Sequence, residues 1–251
     1  MVTCKFIGRL GNIMLEIYNV FLYAKQKNMS INSIVFDKQY IGSGINPNKY
    51  KKVSPFFRVE NYIEFNKEIL ANVYSHFIDH SRYEALAKNC RSVKYFEALV
   101  DENCKDNVML NVPSSIRTFD KELFKSLFYV KPLVQKCIAK KPDLPQRIAI
   151  HVRRTDYAQY QDGKYLLTEK QVNDVVQQFT EEGERKFSIF SDDIEWCKQS
   201  IKTNRLDVVF YQPNVKSYYD MVMMSLCKKI YRNGGHSTFS YVAELLSKCY
   251  E

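Results

Sequence analysis

The hydrophobic pattern is most regular in the second half of the chain, where short apolar runs alternate with segments of helical periodicity. Each run has the length of a β-strand and is followed by apolar residues at the spacing of one helix face. The predicted strands are 147–153, 186–190, 208–211 and 229–231. Four successive strand–helix units predict a parallel sheet of the doubly wound α/β type.

Local signals mark the helices of this half. Thr168 and Gln171 have the spacing of a capping box before a helix at 169–182, and Gly183 follows as a stop. The later helices are predicted to end near residue 203 and to span 218–227 and 238–249. Three methionines, Met221, Met223 and Met224, fall at core spacing, so we interpret them as packing residues.

The first half begins with the same kind of unit, a strand at 3–7, a loop with two glycines at 8–12 and a helix at 13–27. Glycines at such a turn let backbone N–H groups approach a ligand, although a plain tight turn explains them equally well. The remaining predicted elements are strands at 31–36 and 108–112 and helical segments at 84–88, 92–99, 121–128 and 133–139. The Pro-containing stretch at 140–145 is typical of a linker and predicts domains at 1–145 and 146–251.

Composition narrows the possible partners. The chain has 251 residues, of which 45% are apolar, enough for a packed core, and its net charge of +9 favours an anionic partner. Nucleic acid, an anionic surface and a phosphorylated small molecule all fit that charge. The lysines are spread in twos and threes without a nucleic-acid motif, so most of them are interpreted as a solvated basic face.

Cysteine usage and apolar runs indicate the compartment. The seven cysteines are scattered and include no CxxC pair, which suggests neither a disulfide framework nor a zinc site. No apolar run approaches the roughly 18 residues of a membrane span, and the N-terminal sequence lacks the pattern of an export signal. We therefore expect a cytoplasmic protein without stable membrane insertion. His76 and His80 have metal-ligand spacing but no third ligand pattern, so we expect no metal there.

The strongest chemical signal is the segment 147–157, which joins a buried strand to a cluster of charge. His151, Arg153, Arg154 and Asp156 fall at or just past the carboxyl end of that strand, where open α/β sheets bind ligands. Two adjacent guanidiniums suit a pyrophosphate because each offers a planar fork of donors. A structural Arg–Asp pair at the sheet end is the alternative.

Two later strand ends carry related groups. Asp192 and Asp193 offer carboxylates that can accept from the N–H donors of a guanine edge, and Ser237 and Thr238 lie at a helix start that suits phosphate. Together they describe a guanine-nucleotide pocket. Ordinary helix N-capping explains each of them separately.

In combination these motifs resemble the α-1,2-fucosyltransferase family, glycosyltransferase family 11. The resemblance covers nearly the whole chain and includes GRLGN at 8–12 with Met14, HVRRTDY at 151–157, FSDD at 190–193 and STFS at 237–240. The central motif is shared with α-1,6- and protein O-fucosyltransferases. Where the family pattern has Gln, Gly, Asn and Trp, this chain has Ile13, Thr155, His236 and Tyr241.

The resemblance implies a GT-B-like α/β fold whose C-terminal half is a Rossmann-like nucleotide-binding domain. It implies that Arg153 holds the pyrophosphate of GDP-fucose and that the donor site also includes His151, Arg154, Asp192, Asp193, Ser237, Thr238 and Phe239. Gly8, Arg9, Gly11 and Asn12 would face the sugar and the acceptor. It further implies inversion at the anomeric carbon without a required metal or other cofactor.

The expected function is therefore transfer of fucose from GDP-fucose to an acceptor sugar, with an α-1,2 linkage to galactose or a similar sugar. Asp156 and Asp162 are the candidate bases, and Asn12 would position the acceptor hydroxyl. For Asp156, pairing with Arg154 is an equally good interpretation. The alternative functions are transfer from another GDP-sugar donor and a non-catalytic module that binds nucleotide or RNA. The expected partners are GDP-fucose and a glycan, not nucleic acid.

Overall fold

The computed structural model has two compact units, Met1–Tyr129 and Val130–Glu251. It describes residues 2–6, 9–36, 67–78, 90–94, 108–155, 157–158, 163–214, 216–233 and 236–250. Among these residues, no helix combines the length and the apolar character that a membrane crossing requires.

The first unit is built on a five-stranded parallel sheet. Its strands are β1 (Val2–Phe6), β2 (Ile31–Phe36), β3 (Phe77–Ile78), β4 (Arg91–Lys94) and β5 (Val108–Asn111). They lie in the order β3-β2-β1-β5-β4, and every pairing between neighbours is parallel. The predicted strands at the chain start, at 31–36 and at 108–112 are confirmed to within one residue at each end.

One long helix, α1 (Leu10–Lys27), accounts for much of the core of this unit. Its residues from Ile13 to Val20 are all buried, including the polar Asn19. The Asn19 side chain donates to the carbonyls of Pro113 and Ser115 at 2.8 and 2.9 Å, which satisfies the buried amide. The helix ends at Asn28, whose left-handed conformation (φ 51°) stops it.

Two predictions in the first unit need correction. Helix α1 begins at Leu10 rather than at residue 13, so Gly11 and Asn12 belong to its first turn. The predicted helix at 92–99 is wrong where it is described, because 91–94 form strand β4, paired residue by residue with β5. Pairing in a sheet overrides the helical preference of such a short stretch. The predicted helical piece at 84–88 lies outside the described residues.

The second unit alternates strands and helices as predicted. The first unit ends with helix α2 (Lys121–Leu127), and the second unit begins with α3 (Lys131–Lys140) and a short 3₁₀ turn, Leu144–Gln146. The rest of the unit runs β6 (Ile148–Val152), α4 (Glu169–Glu181), β7 (Lys186–Ser191), α5 (Ile194–Ser200), β8 (Asp207–Tyr211), α6 (Tyr218–Ser225), β9 (Lys229–Tyr231) and α7 (Thr238–Tyr250). The capping box of Thr168 and Gln171 is present at the start of α4.

The sheet of this unit has four parallel strands in the order β8-β7-β6-β9. All five residues of β6 are buried, as expected of a strand with neighbours on both sides and helices on both faces. Met221, Met223 and Met224 are buried in α6, which packs on α3 and α7, so their interpretation as packing residues is confirmed. The predicted parallel α/β architecture of this half is confirmed.

The predicted linker at 140–145 is instead part of the second unit. Leu144 is fully buried, and Asp143 accepts a 2.6 Å hydrogen bond from Nε of Arg147. The Arg147 side chain is only 6% exposed and also forms a fork with both carboxylate oxygens of Asp207, at 2.9 and 2.8 Å. This network fastens the start of β6 to β8. The division between units accordingly falls after Tyr129, ahead of the predicted boundary at 145.

Candidate functional site

The carboxyl edge of the second sheet contains a point at which the strand order reverses. The chain runs outward from β6 through β7 to β8 and then returns to place β9 on the other side of β6. In open parallel sheets, ligands bind in the crevice outside the strand ends at such a point. The residues following β6 and β9 therefore flank the expected binding crevice of this unit.

Arg153 lies directly after β6 at this point and is held at two places. Its backbone N–H donates to Oδ1 of Asn233, at 2.9 Å, and its Nε lies 3.3 Å from Oδ2 of Asp192. The ring of Tyr157 lies 6.0 Å from the guanidinium carbon. The side chain is 13% exposed. A guanidinium fixed in this way is preorganised for an anionic ligand.

Asp192, at the end of β7, organises the loop that leaves β6. Its Oδ1 accepts from the backbone N–H groups of Arg154 and Thr155, at 2.8 and 3.4 Å, and its Oδ2 accepts from the Thr155 hydroxyl at 2.7 Å. Burial disfavours the charged form of this carboxyl, but the Arg153 guanidinium and the Thr155 hydrogen bond hold its pKa below the ordinary value. Asp192 is thus an anionic centre around which the 153–155 loop folds.

Arg154 has different partners from Arg153. Its guanidinium carbon lies 3.6 Å from the ring centroid of Trp196, its Nη1 donates to the Leu167 carbonyl at 3.0 Å, and its Nε lies 3.5 Å from Asp193. Successive residues leaving a strand point to opposite sides, which accounts for the separation. The resemblance assigned the pyrophosphate to Arg153 and placed Arg154 in the same donor site; in the structure Arg154 lies between Trp196 of α5 and the 163–168 segment.

Asp193 performs the ordinary capping role that was the alternative for this motif. Its Oδ1 accepts from the backbone N–H of Trp196 at 3.2 Å, which caps the first turn of α5. Its own N–H donates to the Ser191 hydroxyl at 3.0 Å. The two adjacent carboxylates therefore have separate tasks in the protein, one in a helix cap and one in the loop after β6.

The start of α7 lies beside the end of β6. His151 is buried in β6, and its ring centroid lies 5.6 Å from that of Phe239 in the first turn of α7. Ser237 is buried just before the helix, and Thr238 is its first residue. A helix of 13 residues presents the positive end of its dipole and several backbone N–H groups at this point. The predicted phosphate-binding residues are thus brought to the same sheet edge as Arg153.

Residues 133–249 match the family model "Glycosyl transferase family 11". The second unit is thus similar to the glycosyltransferases of family 11 over nearly its whole length. This match confirms the family that the motifs at 151–157, 190–193 and 237–240 predicted. No curated protein matches the chain at the level of sequence.

Solved structures similar to the whole chain include fucosyltransferase NodZ and POFUT1. Fucosyltransferase NodZ from Bradyrhizobium is 14% identical, with a TM-score of 0.55 and with 98% of this chain and 92% of that chain covered. POFUT1 in complex with GDP-fucose is 10% identical, with a TM-score of 0.54 and coverages of 97% and 92%. NodZ α-1,6-fucosyltransferase soaked with GDP-fucose is 13% identical, with a TM-score of 0.52 and coverages of 98% and 92%. At these identities the likeness shows the fold, which confirms the GT-B-like fold class.

The other predicted site residues are distributed as follows. Arg9 and Asn12 are partly buried and Gly11 is buried at the start of α1, in the first unit and outside the segment that matches family 11. Gly8, Asp156 and Asp162 lie outside the described residues. His76 makes an edge contact with the Phe21 ring at 5.5 Å, and His80 is not described. The described part of the chain contains no cluster of three metal-ligating side chains.

Three further residues of the second unit were not predicted from the sequence. Asn233 is completely buried after β9, Trp196 covers Arg154, and the Tyr165 ring lies 4.0 Å from that of His236. The position of Asn233 two residues past the end of β9 was an available signal, because ligand-site residues concentrate at strand ends. The contacts of Trp196 and Tyr165 depend on tertiary structure and had no signal in the sequence.

Proposed function

We propose that this protein transfers fucose from GDP-fucose to a hydroxyl group of an acceptor sugar, with inversion at the anomeric carbon. The observation that supports this most directly is Arg153, held from two sides at the strand-order reversal of the unit that is similar to family 11. NodZ, which resembles the chain, is named as an α-1,6-fucosyltransferase, and both NodZ and POFUT1 were solved with GDP-fucose. Transfer to galactose or a similar sugar with an α-1,2 linkage is the finer part of the proposal.

In this mechanism the Arg153 guanidinium stabilises the leaving diphosphate. Departure of GDP from the sugar builds positive charge at the anomeric carbon and negative charge on the phosphate oxygens. A planar fork of N–H donors that is already in place lowers the barrier, because it needs no rearrangement as that charge grows. Asp192 and Asn233 supply the preorganisation by fixing the side chain and the backbone of Arg153.

The nucleotide is proposed to lie against the start of α7. Ser237, Thr238 and the N-terminal backbone of that helix suit a phosphate, and Phe239 next to the buried His151 offers an apolar ring to the nucleoside. Guanine recognition by Asp192 or Asp193 stays a prediction. The capping role of Asp193 and the loop contacts of Asp192 favour Asp192 as the carboxylate closer to the donor site.

We also propose that transfer needs no metal ion, because a guanidinium at the leaving group supplies the charge that a metal would otherwise supply. The acceptor hydroxyl needs a base late in the reaction, and Asp156 and Asp162 keep that role as predictions. The roles of Arg9, Gly11 and Asn12 toward the sugar and acceptor are likewise predictions from the family resemblance.

A panel of nucleotides tests the donor. Thermal melts would be recorded in chelator with GDP, GDP-fucose, GDP-mannose, UDP and ADP, because a ligand that binds only the folded state at a hundred times its Kd adds about 2.7 kcal/mol of stability. We expect guanine nucleotides alone to raise the Tm. Stabilisation by every nucleotide, weakening steeply with salt as RNA binding does, would contradict the proposal.

Product analysis tests the reaction. GDP-fucose would be incubated with galactosides in chelator, and the linkage and anomeric configuration of the product would be determined by NMR. An α-fucoside from the β-linked donor establishes inversion. Activity that disappears in chelator and returns with Mn²⁺ would refute the metal-free mechanism. Transfer from GDP-mannose but not from GDP-fucose would show that fucose is not the donated sugar.

A further inference from the structure

Asn233 connects three segments at the carboxyl edge of the second sheet. It follows β9 and has no solvent exposure. Its Oδ1 accepts from the backbone N–H of Arg153 at 2.9 Å, and its Nδ2 donates to the backbone carbonyl of Tyr165 at 2.8 Å. One buried amide thus joins the exit of β6, the exit of β9 and the segment that leads to α4.

These bonds constrain where Arg153 lies. A backbone N–H just past the end of a strand has lost its ladder partner, and when buried it requires another acceptor. Asn233 provides that acceptor with a side chain whose other end is anchored on Tyr165. The Tyr165 ring in turn lies 4.0 Å from that of His236, so the two loops on either side of the crevice are joined twice.

We infer that Asn233 is a positioning residue for Arg153, and that it acts on turnover through the backbone of that arginine rather than by contact with the substrate. The inference rests on the proposed function, since it assigns Arg153 to the leaving diphosphate. Asp192 holds the guanidinium and Asn233 holds the main chain beneath it. Without Asn233, the guanidinium would keep its contact with Asp192, but the main chain that carries it would no longer be fixed at the end of β6.

The expected kinetic result is a loss of turnover that exceeds the loss of binding. A misplacement of about 1 Å at a reacting centre typically lowers the rate on the order of a hundredfold. We therefore expect Asn233→Ala to lower kcat for GDP release from GDP-fucose roughly tenfold to a hundredfold. The Kd of GDP should change much less, because Ser237, Thr238 and the α7 terminus are retained.

A double-mutant cycle with Arg153→Ala distinguishes positioning from general loss of structure. If Asn233 acts through Arg153, adding Asn233→Ala to Arg153→Ala should lower kcat by no more than about twofold, because interacting residues are not additive. If the two changes multiply, Asn233 acts independently of Arg153 and the inference is wrong. Unchanged kcat in Asn233→Ala alone would also overturn it.

Asn173 offers a matched control in the same unit. Its amide also bridges backbone groups, donating to the carbonyls of Glu169 and Ser200 at 2.9 and 2.8 Å and accepting from the N–H of Lys202 at 2.8 Å. It joins α4 to the segment after α5. Asn173→Ala is expected to lower the Tm while leaving kcat unchanged, which shows that losing a bridging amide does not by itself reduce turnover.

Two further outcomes are distinguishable. If Asn233→Ala does not fold, Asn233→Ser enters the same cycle with the same expectation, because its shorter hydroxyl cannot reach both partners. If the wild-type protein neither binds GDP nor releases it from GDP-fucose, the proposed function fails and the inference fails with it. A wild-type enzyme that is active beside fully active Asn233 variants refutes the inference alone.

Discussion

Replacing Arg153 with lysine separates the geometry of this side chain from its charge. Lysine keeps the positive charge, and its ammonium group can still reach an acidic neighbour such as Asp192. It has no planar fork, so it cannot offer two parallel N–H donors to a diphosphate. If Arg153 stabilises the leaving group as proposed, Arg153→Lys should be nearly as damaging as Arg153→Ala.

The expected magnitudes differ for turnover and stability. Removing one preorganised donor to a developing oxyanion typically costs about 3 to 4 kcal/mol, which is roughly a hundredfold to a thousandfold in kcat. The folded state loses the 3.3 Å contact between Nε and Asp192, but it keeps the backbone bond to Asn233 and the charge. We therefore expect the free energy of unfolding to fall by only about 1 to 2 kcal/mol, a Tm decrease of a few degrees.

The assay is GDP release and transfer from GDP-fucose to a galactoside, with folding checked by thermal melts. Arg147→Lys is the matched control, since Arg147 is a buried arginine at the opposite end of the same strand. Losing its fork to Asp207 should cost on the order of 3 kcal/mol of stability and leave turnover unchanged. A well-folded Arg153→Lys enzyme with most of its activity would refute the diphosphate assignment and leave Arg153 as a structural residue.

Two other substitutions and one pH effect complete the predictions. Asp192→Ala should raise the Kd of GDP and lower kcat far more than Asp193→Ala, because Asp192 holds Arg153 and the 153–155 loop. Asp193→Ala should mainly remove a helix cap, which costs about 1 kcal/mol of stability. Equal, small effects of the two substitutions would contradict this expectation. Burial raises the pKa of Asp220 to about 6, although hydrogen bonds from Asn214 oppose the shift. Because the folded state then binds a proton that the unfolded state has lost, this carboxyl should make the free energy of unfolding fall as the pH rises from about 4 to about 6. In Asp220→Asn, the Tm should depend less on pH in that window than in the wild type, whereas the exposed control Asp174→Asn should behave like the wild type. Parallel curves of Tm against pH for Asp220→Asn and wild type would show the expectation to be wrong.

The local architecture of the second half could be predicted from the sequence because its elements are specified by neighbouring residues. The largely apolar run of β6 and the capping box at Thr168 have signals that need no tertiary partner. The pattern also predicts which residues lie near one another, since parallel strands bring all their carboxyl ends to one edge of the sheet. Residues 151–153, 191–193 and 237–239 could therefore be assigned to one site from the amino-acid sequence.

The sequence was less informative where tertiary contacts compete with local preference. Residues 91–94 have helix formers around them, yet pairing with β5 makes them a strand. The stretch at 140–145 has the composition of a linker, but Asp143 and Leu144 are tied into the second unit by Arg147 and by burial. Long-range contacts of this kind have no periodicity that a local window can detect.

Which of two adjacent residues in the site makes which contacts was decided only by the tertiary structure. Arg153 and Arg154 are adjacent and chemically identical, and no sequence pattern states that one faces Asp192 and Asn233 while the other stacks on Trp196. The same holds for Asp192 and Asp193, one in a loop and one in a helix cap. The types of residue at a strand end can be read from the chain, whereas their directions depend on side chains that are 38 or 80 residues away in sequence and become neighbours only when the sheet forms.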